Sequence, residues 1–371
     1  MRRDMYQMIN WWLEKGIGGF RLDVIDTIGK EPDRMIIGNG PKLHEYIQEM
    51  SRETFQKYDV MTVGETWGAT TDNAKLYSNP DGSEFSMVFH FQHITSSWTR
   101  EYGKWQQEKK DFVKIKKIFS LWQKELRDKG WNSLFWDNHD LPRAVSNFGN
   151  DGKYRVESAK ALATFLHGLQ GTPYIYQGEE LGMTNFPMKD LSEVRDIESL
   201  NMYQEMKEAG WTHEQLMEAI NLTGRDNART PMQWDDTANA GFTTGTPWIK
   251  VNPNYVTINA KAQLADENSV FHYYRRLIAL RRGLEWGPVL TDGEYHPFLE
   301  DDEDIFAYIR ELDGKRLLVL GNFHDTERTI TVPGMVARVL LSNYPAPQIS
   351  GARITLRPYE ALMAELPAEK Q

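Results

Sequence analysis

The sequence predicts an α/β chain with parallel strands that gives way, near residue 288, to an antiparallel β-sandwich. Over roughly the first 180 residues strand-like and helical segments alternate, the β-helix-β rhythm of a parallel sheet. Beyond residue 288 the short runs IFAYIR, RLLVLGNF, RTITV, ARVLL, RITL and ALMAEL are cut by Gly, Pro and Asp, as in a two-sheet sandwich. A third observation joins fold to chemistry. Three carboxylates stand where an apolar strand runs out: Asp23 in GFRLDV, Glu65 in MTVGETWG and Asp140 in LFWDNHDLPR. A barrel of alternating strands and helices collects its reactive groups at one mouth in this way. One Asp after a strand is ordinarily a helix cap or a turn residue. Three in comparable places, each inside an aromatic and polar cluster, point to a site.

Element by element, Met5, Met8, Ile9 and Trp12 recur at helical spacing, and Gly16 to Gly19 break that helix before the strand GFRLDVI. The next helix, PKLHEYIQEMSRETF, opens on Pro41 and sets Leu43, Ile47 and Met50 on one face ahead of the strand VMTVGE. Further strands are predicted at FSMVFHFQ and, after the helix in KIKKIFSLWQKELRDKG, at NSLFWDNHD. Residues 153–169 form a helix with Ala159, Leu162, Ala163, Leu166 and Leu169 inward, feeding the strand TPYIYQGEE. Residues 181–260, rich in Asn, Asp, Thr and Pro, leave the rhythm and read as an insertion of loops and short helices over the barrel mouth. A last helix carries Phe271, Tyr274, Ile278 and Arg282 on one face, its Arg end suiting the helix C-terminus. The expected domains are therefore 1–287, catalytic, and 288–371, the sandwich.

Composition narrows the function classes. At 371 residues the chain is long enough for one large domain and a smaller one, and 40% hydrophobic content supports a packed core. A net charge of −10, with no run of Lys or Arg interleaved with aromatics, makes nucleic acid and anionic membranes poor partners. Cysteine is absent, so there is no disulfide framework, thiolate metal site or thiol nucleophile; this suits a reducing cytoplasm. Asp4 and Glu14 interrupt the N-terminal apolar residues, which read as an amphipathic helix and not a signal peptide. No stretch is long and apolar enough to span a bilayer.

GFRLDVID, VGETWG, FWDNHDLPR and TPYIYQGEE, in this order and followed by RDNARTPMQWD, resemble the α-amylase superfamily of glycoside hydrolases (family 13). Within it the likeness is to the oligo-1,6-glucosidase and dextran glucosidase (glucan 1,6-α-glucosidase) group. The resemblance implies a retaining α-glucosidase that cleaves α-1,6 bonds at the non-reducing end of gluco-oligosaccharides. Such chemistry needs a carboxylate nucleophile and a second carboxyl, about 5 Å away, that first gives and later takes a proton. By resemblance Asp23 is the nucleophile, Glu65 the acid/base, and Asp140 the third acid, which holds the sugar 2-OH and 3-OH. Arg21, two residues before Asp23 on the same strand face, is placed to keep the nucleophile ionised. Phe20 and Leu22 beside it mark a buried strand. His139 and Arg225 match residues that contact the bound glucose, with Arg229 a rival for the arginine's role. A histidine also serves as a metal ligand, but no partner His or Cys sits at ligand spacing.

The linkage rests on fewer residues. Val24 follows the nucleophile, where in the family a branched apolar residue accompanies α-1,6 cleavage and Thr or Ala accompanies α-1,4; Val is also an ordinary strand residue. Trp67, Lys104 and Glu198 match positions around the leaving sugar, although Lys104 and Glu198 read equally as solvated surface charge. No cofactor is implied. The likeness starts at the helix before the family's fourth strand. The resemblance thus implies a partial TIM (β/α)8 barrel, from about the fourth strand onward, without the loop that binds a structural calcium. An open barrel edge leads to the expectation that the chain alone is unstable or weakly active. Rival readings within the family are trehalose-6-phosphate hydrolase, α-1,4-glucosidase and sucrose isomerase. From another class comes a non-catalytic carbohydrate-binding protein on the same fold, against which all three acids speak.

Overall fold

Parallel pairing dominates the first part of the chain. The computed structural model describes residues 1–368; the last three residues of the expected sandwich, 369–371, lie outside them. Strands β1 (Gly19–Leu22), β2 (Met61–Glu65) and β3 (Met87–Phe89) form one parallel sheet in that order, Leu22 opposite Gly64 and Glu65 opposite Phe89. A short antiparallel hairpin follows, β4 (Trp98–Thr99) with β5 (Gly103–Gln107). Strands β6 (Ser133–Leu134) and β7 (Thr172–Pro173) pair in parallel, and a parallel bridge between Val88 and Asn132 links β3 to the start of β6.

Residue contacts divide the chain into two units. The first comprises residues 1–95, 114–134 and 170–173 and holds β1, β2, β3, β6 and β7. In its helix Leu43–Glu53 the buried residues include Leu43, Ile47 and Met50, as their spacing predicts. They join one apolar core with Tyr77, Phe85, Trp122 and Leu126. The first helix, Arg2–Glu14, departs from expectation: it buries Ile9 and Leu13, whereas Met5, Met8 and Trp12 are exposed. Strand β1 departs too. It has a sheet neighbour on one side only, so Phe20 and Leu22 are half-buried and Arg21 is more open than a central strand would leave it. An apolar groove of about 640 Å³ runs along it, lined by Met5, Met8, Phe20, Leu22 and Asp23 among others.

The second unit comprises residues 96–113, 135–169 and 174–371. The helix Arg155–His167 is buried on every side from Ser158 to His167, so the expected inward face is only part of its packed surface. The helix Val270–Arg282 buries Val270, Tyr273, Tyr274 and Leu277, a face rotated from the predicted one, and the Tyr273 and Thr164 hydroxyls meet at 2.6 Å. The segment 181–260 contains two full helices, Ile197–Glu208 and His213–Thr223, with an apolar core of their own around Met202, Leu216 and Ile220. Each starts on a side-chain cap, Asp196 and Thr212.

The last fifth of the chain is antiparallel. Strands β8 (Glu294–Phe298), β9 (Ile305–Leu312), β10 (Lys315–Asn322), β11 (Arg328–Thr331), β12 (Arg338–Ser342), β13 (Gln348–Ser350), β14 (Arg353–Leu356) and β15 (Ala361–Leu366) form two sheets, ordered β12-β15-β10-β9-β8 and β11-β14-β13. Both sheets contribute to a single core that includes Ile305, Ile309, Leu318, Ile330, Ile354 and Leu362. The six predicted runs all form strands. Sequence pattern does not predict β8 or β13, because neither shows a clean apolar alternation. Among the described residues no helix is long and apolar enough to cross a membrane.

A buried polar cluster sits in the second unit. Asp137, Arg143 and Glu179 are all buried, Tyr274 Oη donates to Glu179 Oε1 at 2.5 Å, and the Ala144 N–H donates to Asp137 Oδ2 at 2.8 Å. Burial pushes the Asp137 carboxyl up to about 6 against the pull of Arg143, and burial together with the Asp137 charge holds Glu179 well above the usual carboxylate range. A raised carboxyl stabilises the fold least where it must ionise. For Asp137 the stabilising effect is therefore complete at pH values below about 4, where the unfolded carboxyl is still protonated, and is lost as pH rises through about 6; for Glu179 the loss likewise begins above the range where its unfolded carboxyl is protonated. Glu179→Gln imitates the protonated acid and keeps the acceptor for Tyr274. It is expected to raise the thermal midpoint at pH 8 by roughly 2–4 °C, with no gain at about pH 4. Melting curves at the two pH values check this; an equal gain at both would contradict it.

Candidate active site

The first unit carries Asp23 and Glu65 at the same end of adjacent parallel strands. Asp23 follows the last residue of β1, and Glu65 closes β2, whose register places Leu22 beside Gly64. Gly64 sits where a side chain has little room, since a Cβ there would lie 3.0 Å from Phe85 and 3.1 Å from Ile25. Neighbouring strands lie about 4.8 Å apart, the scale of separation that suits paired carboxyls acting on one bond. Arg21 joins the two acids: Nη1 hydrogen-bonds Asp23 Oδ1, and Nη2 lies 2.8 Å from Glu65 Oε2. The environments differ. Asp23 is 74% exposed and Arg21 35%, whereas Glu65 is 4% exposed. The buried setting expected for Arg21 and Asp23 is thus not found in this unit, because β1 is an edge strand.

Val24 leaves the strand in the left-handed region, φ 40° and ψ 44°, which a β-branched residue rarely adopts. Its N–H donates to Glu65 Oε2 at 3.1 Å, and its carbonyl accepts from Thr27 Oγ1 at 2.8 Å. Nearby, buried Asp26 accepts from the Gly68 N–H at 3.0 Å, tying this turn to the loop after β2. Trp67 donates from Nε1 to Glu65 Oε1 at 2.9 Å, and its ring stacks on buried Phe91 with centroids 3.8 Å apart and planes 8° off parallel. Thr66 Oγ1 donates to the Phe89 carbonyl at 2.7 Å, joining the end of β2 to the end of β3 and so to the Phe91 segment.

The second unit assembles another set around Asp140. Its backbone N–H donates to Asn138 Oδ1 at 2.8 Å, and His139 Nε2 lies 3.4 Å from Oδ2. Arg229 Nη2 hydrogen-bonds Asp140 Oδ1 and its Nε donates to the His139 carbonyl at 2.8 Å. Arg225 Nη1 stands 3.6 Å from the same Oδ1, so the closer guanidinium is Arg229, the rival. Arg225 turns chiefly to Asp196, at 2.6 Å from Nη2, and to Glu198, at 3.1 Å from Nε. Burial pulls the Asp196 carboxyl upward, but the Arg225 hydrogen bond and charge prevail and hold it below its ordinary value. Lys104, on β5, reaches Glu198 Oε2 at 2.5 Å. Lys104 and Glu198 are therefore one ion pair and not separate solvated charges.

Arg143 explains why this set is ordered. Its buried guanidinium donates to the carbonyls of Asn227 at 3.1 Å, Ala228 at 3.2 Å and Gln177 at 2.6 Å. Tyr176 Oη adds a bond to the Ala228 carbonyl at 2.9 Å. The short helix Asp226–Arg229, which follows Arg225 and ends on Arg229, is thereby pinned. Three contributors escape the sequence reading: Phe91, Asp196 and Arg143. Asp196 is visible in the sequence only as a helix cap before IESL, and Arg143 only as the end of the LPR run. Among the described residues no group of three or more His, Cys, Asp or Glu side chains is arranged to hold a metal ion.

Comparison with known proteins agrees with these features. Residues 1–288 match the alpha amylase catalytic domain, and residues 305–363 match the alpha-amylase SusG C-terminal domain. A glucan 1,6-alpha-glucosidase of Streptococcus pneumoniae serotype 4 is 50% identical over 368 residues, 99% of this chain and 68% of that protein. An oligo-1,6-glucosidase of Parageobacillus thermoglucosidasius is 50% identical over 382 residues, 97% of this chain and 67% of that protein. The crystal structure of a trehalose-6-phosphate hydrolase of Bacillus licheniformis superposes with a TM-score of 0.92 at 46% identity, over 99% of this chain and 68% of that one. The chain belongs to the α-amylase family of glycoside hydrolases.

Proposed function

We propose that the protein is a retaining α-glucosidase that hydrolyses α-1,6-glucosidic bonds at the non-reducing end of isomalto-oligosaccharides and dextran. The observation that carries this reading is the Arg21-bridged pair of acids at adjacent strand ends. Asp23 attacks the anomeric carbon and forms the glucosyl-enzyme while Glu65 protonates the departing oxygen; Glu65 then takes a proton from the water that releases glucose. Arg21 keeps Asp23 anionic for attack. Asp140, with His139, Arg225 and Arg229, serves the glucose hydroxyls. Trp67 and the Lys104–Glu198 pair serve the leaving sugar, and Val24 bears on the linkage. The displacement needs no cofactor, since nucleophile, proton donor and acceptor are all side chains. The five parallel segments β1, β2, β3, β6 and β7, running in chain order, support the reading that they correspond to the later strands of an eight-stranded (β/α) barrel. The names of the glucan 1,6-alpha-glucosidase and oligo-1,6-glucosidase relatives, each 50% identical, support α-1,6 specificity over the chemistry of a trehalose-6-phosphate hydrolase of Bacillus subtilis, 46% identical.

Glucose release from isomaltotriose, maltotriose and trehalose 6-phosphate, measured side by side, tests the substrate assignment. Release mainly from isomaltotriose is expected, and preferential release from either of the others would displace this reading. Asp23→Asn should lower turnover by at least about four orders of magnitude with the melting curve preserved; activity near that of the unaltered protein would rule out the nucleophile. Val24→Thr should raise hydrolysis of maltose relative to isomaltose, as Thr keeps the branching but changes the polarity beside the nucleophile. A kcat/KM ratio equal to that of the parent would refute a role for Val24 in linkage choice.

A further inference from the structure

Glu65 is held by donors on both of its oxygens. Oε2 faces Arg21 Nη2 at 2.8 Å in an ion pair and receives the Val24 N–H at 3.1 Å, while Oε1 receives the Trp67 indole, at 2.9 Å. A carboxyl oxygen has two lone-pair directions. One direction on Oε2 is taken by the Val24 N–H and the Arg21 guanidinium charge lies against the same oxygen, which disfavours a proton there and places it on Oε1, on the side that the indole leaves open. The indole N–H therefore selects that side, and it can do so only while its ring is fixed. Phe91 supplies the fixing: it is buried, and the two rings are nearly parallel in van der Waals contact. Phe91 is itself anchored. The next residue, Gln92, donates from Nε2 to the Ala69 carbonyl at 3.2 Å and accepts from Trp122 Nε1 at 2.9 Å.

We propose that Trp67 is a positioning residue for Glu65, its indole N–H directing the carboxyl proton to the open side of Oε1, with Phe91 as the plate that holds the indole in that plane. This rests on the assignment of Glu65 as the proton donor and adds to it a role for Trp67 distinct from contact with the leaving sugar. A donor to a carboxylate favours its charged form, so its removal favours the protonated form over a wider pH range. The charged groups in contact with Glu65 within its unit are Arg21 and, through Arg21, Asp23. Substitution at 67 or 91 alters neither.

The test compares Trp67→Phe, Phe91→Leu and Phe91→Tyr with the unaltered chain. In Trp67→Phe, which keeps a ring but loses the N–H, the alkaline limb of the kcat/KM profile on isomaltotriose should move up by about one pH unit. Phe91→Leu should shift the limb in the same direction by less and lower kcat roughly tenfold more than it changes KM; Phe91→Tyr should restore both. A raised KM with an unmoved limb in Trp67→Phe would show that the indole serves only the leaving sugar and overturn the proposal. A second readout does not need turnover. The indole N–H resonance of Trp67 in the ¹⁵N-labelled chain, identified by its loss in Trp67→Phe, should titrate with pH and cease to do so in Glu65→Gln. Failure of all three substrates would sink the proposed function alone, whereas an indole signal unaffected by Glu65→Gln would sink the positioning role alone.

Discussion

A guanidinium shared by two carboxylates is the constraint on which the first unit's chemistry depends. Parallel strands end together, so acids that follow or close adjacent parallel strands are brought near one another whether or not their charges tolerate it. Two uncompensated carboxylates at that distance would shift one another toward protonation. Arg21 resolves the conflict from within β1, two residues before Asp23, and leaves the two acids in unlike surroundings: one open, one buried and held by an indole and a backbone N–H. In the proposed mechanism that difference suits one carboxyl to act as a nucleophile and the other as a proton carrier.

The second unit follows the same electrostatic rule with different parts. Asp140 is flanked by two arginines, and the excess positive charge is taken up by Asp196 and Glu198, the latter shared with Lys104. Order in this network comes from a residue that makes no hydrogen bond to any of these carboxylates. Arg143 directs its donors to main-chain carbonyls, and its charge is offset by the neighbouring acids Asp137, Glu180 and Glu179. A guanidinium used this way behaves as a bracket: it ties a one-turn helix to the loop at Gln177 by satisfying carbonyls that would otherwise be buried and unpaired.

Much of this is legible in the sequence, and the exceptions share a physical cause. The acids stand out because each terminates an apolar run, and the helices because their apolar residues keep a 3.6-residue period. Strand length is overestimated in the parallel part of the chain: GFRLDVI yields four ladder residues and TPYIYQGEE two. Apolar character continues past the last ladder bond because those residues are buried by loops and helices, as Phe135 and Trp136 show. The exposed face of the helix Arg2–Glu14 and the openness of β1 are invisible to periodicity, which reports that a face is apolar and not what covers it. Phe91, Asp196 and Arg143 go unseen because each acts through another residue, and indirect action leaves no motif.

The left-handed backbone at Val24 couples two properties that are usually free to vary separately. An unfavourable conformation of this kind stores about 1–3 kcal/mol, and here it aims an N–H at the buried acid. Under the proposed role of Val24 in linkage choice, a change at residue 24 therefore also bears on how firmly Glu65 is held. Glycine would remove the strain but surrender the rigidity that keeps the N–H aligned. Branched residues retain that rigidity and offer few shapes.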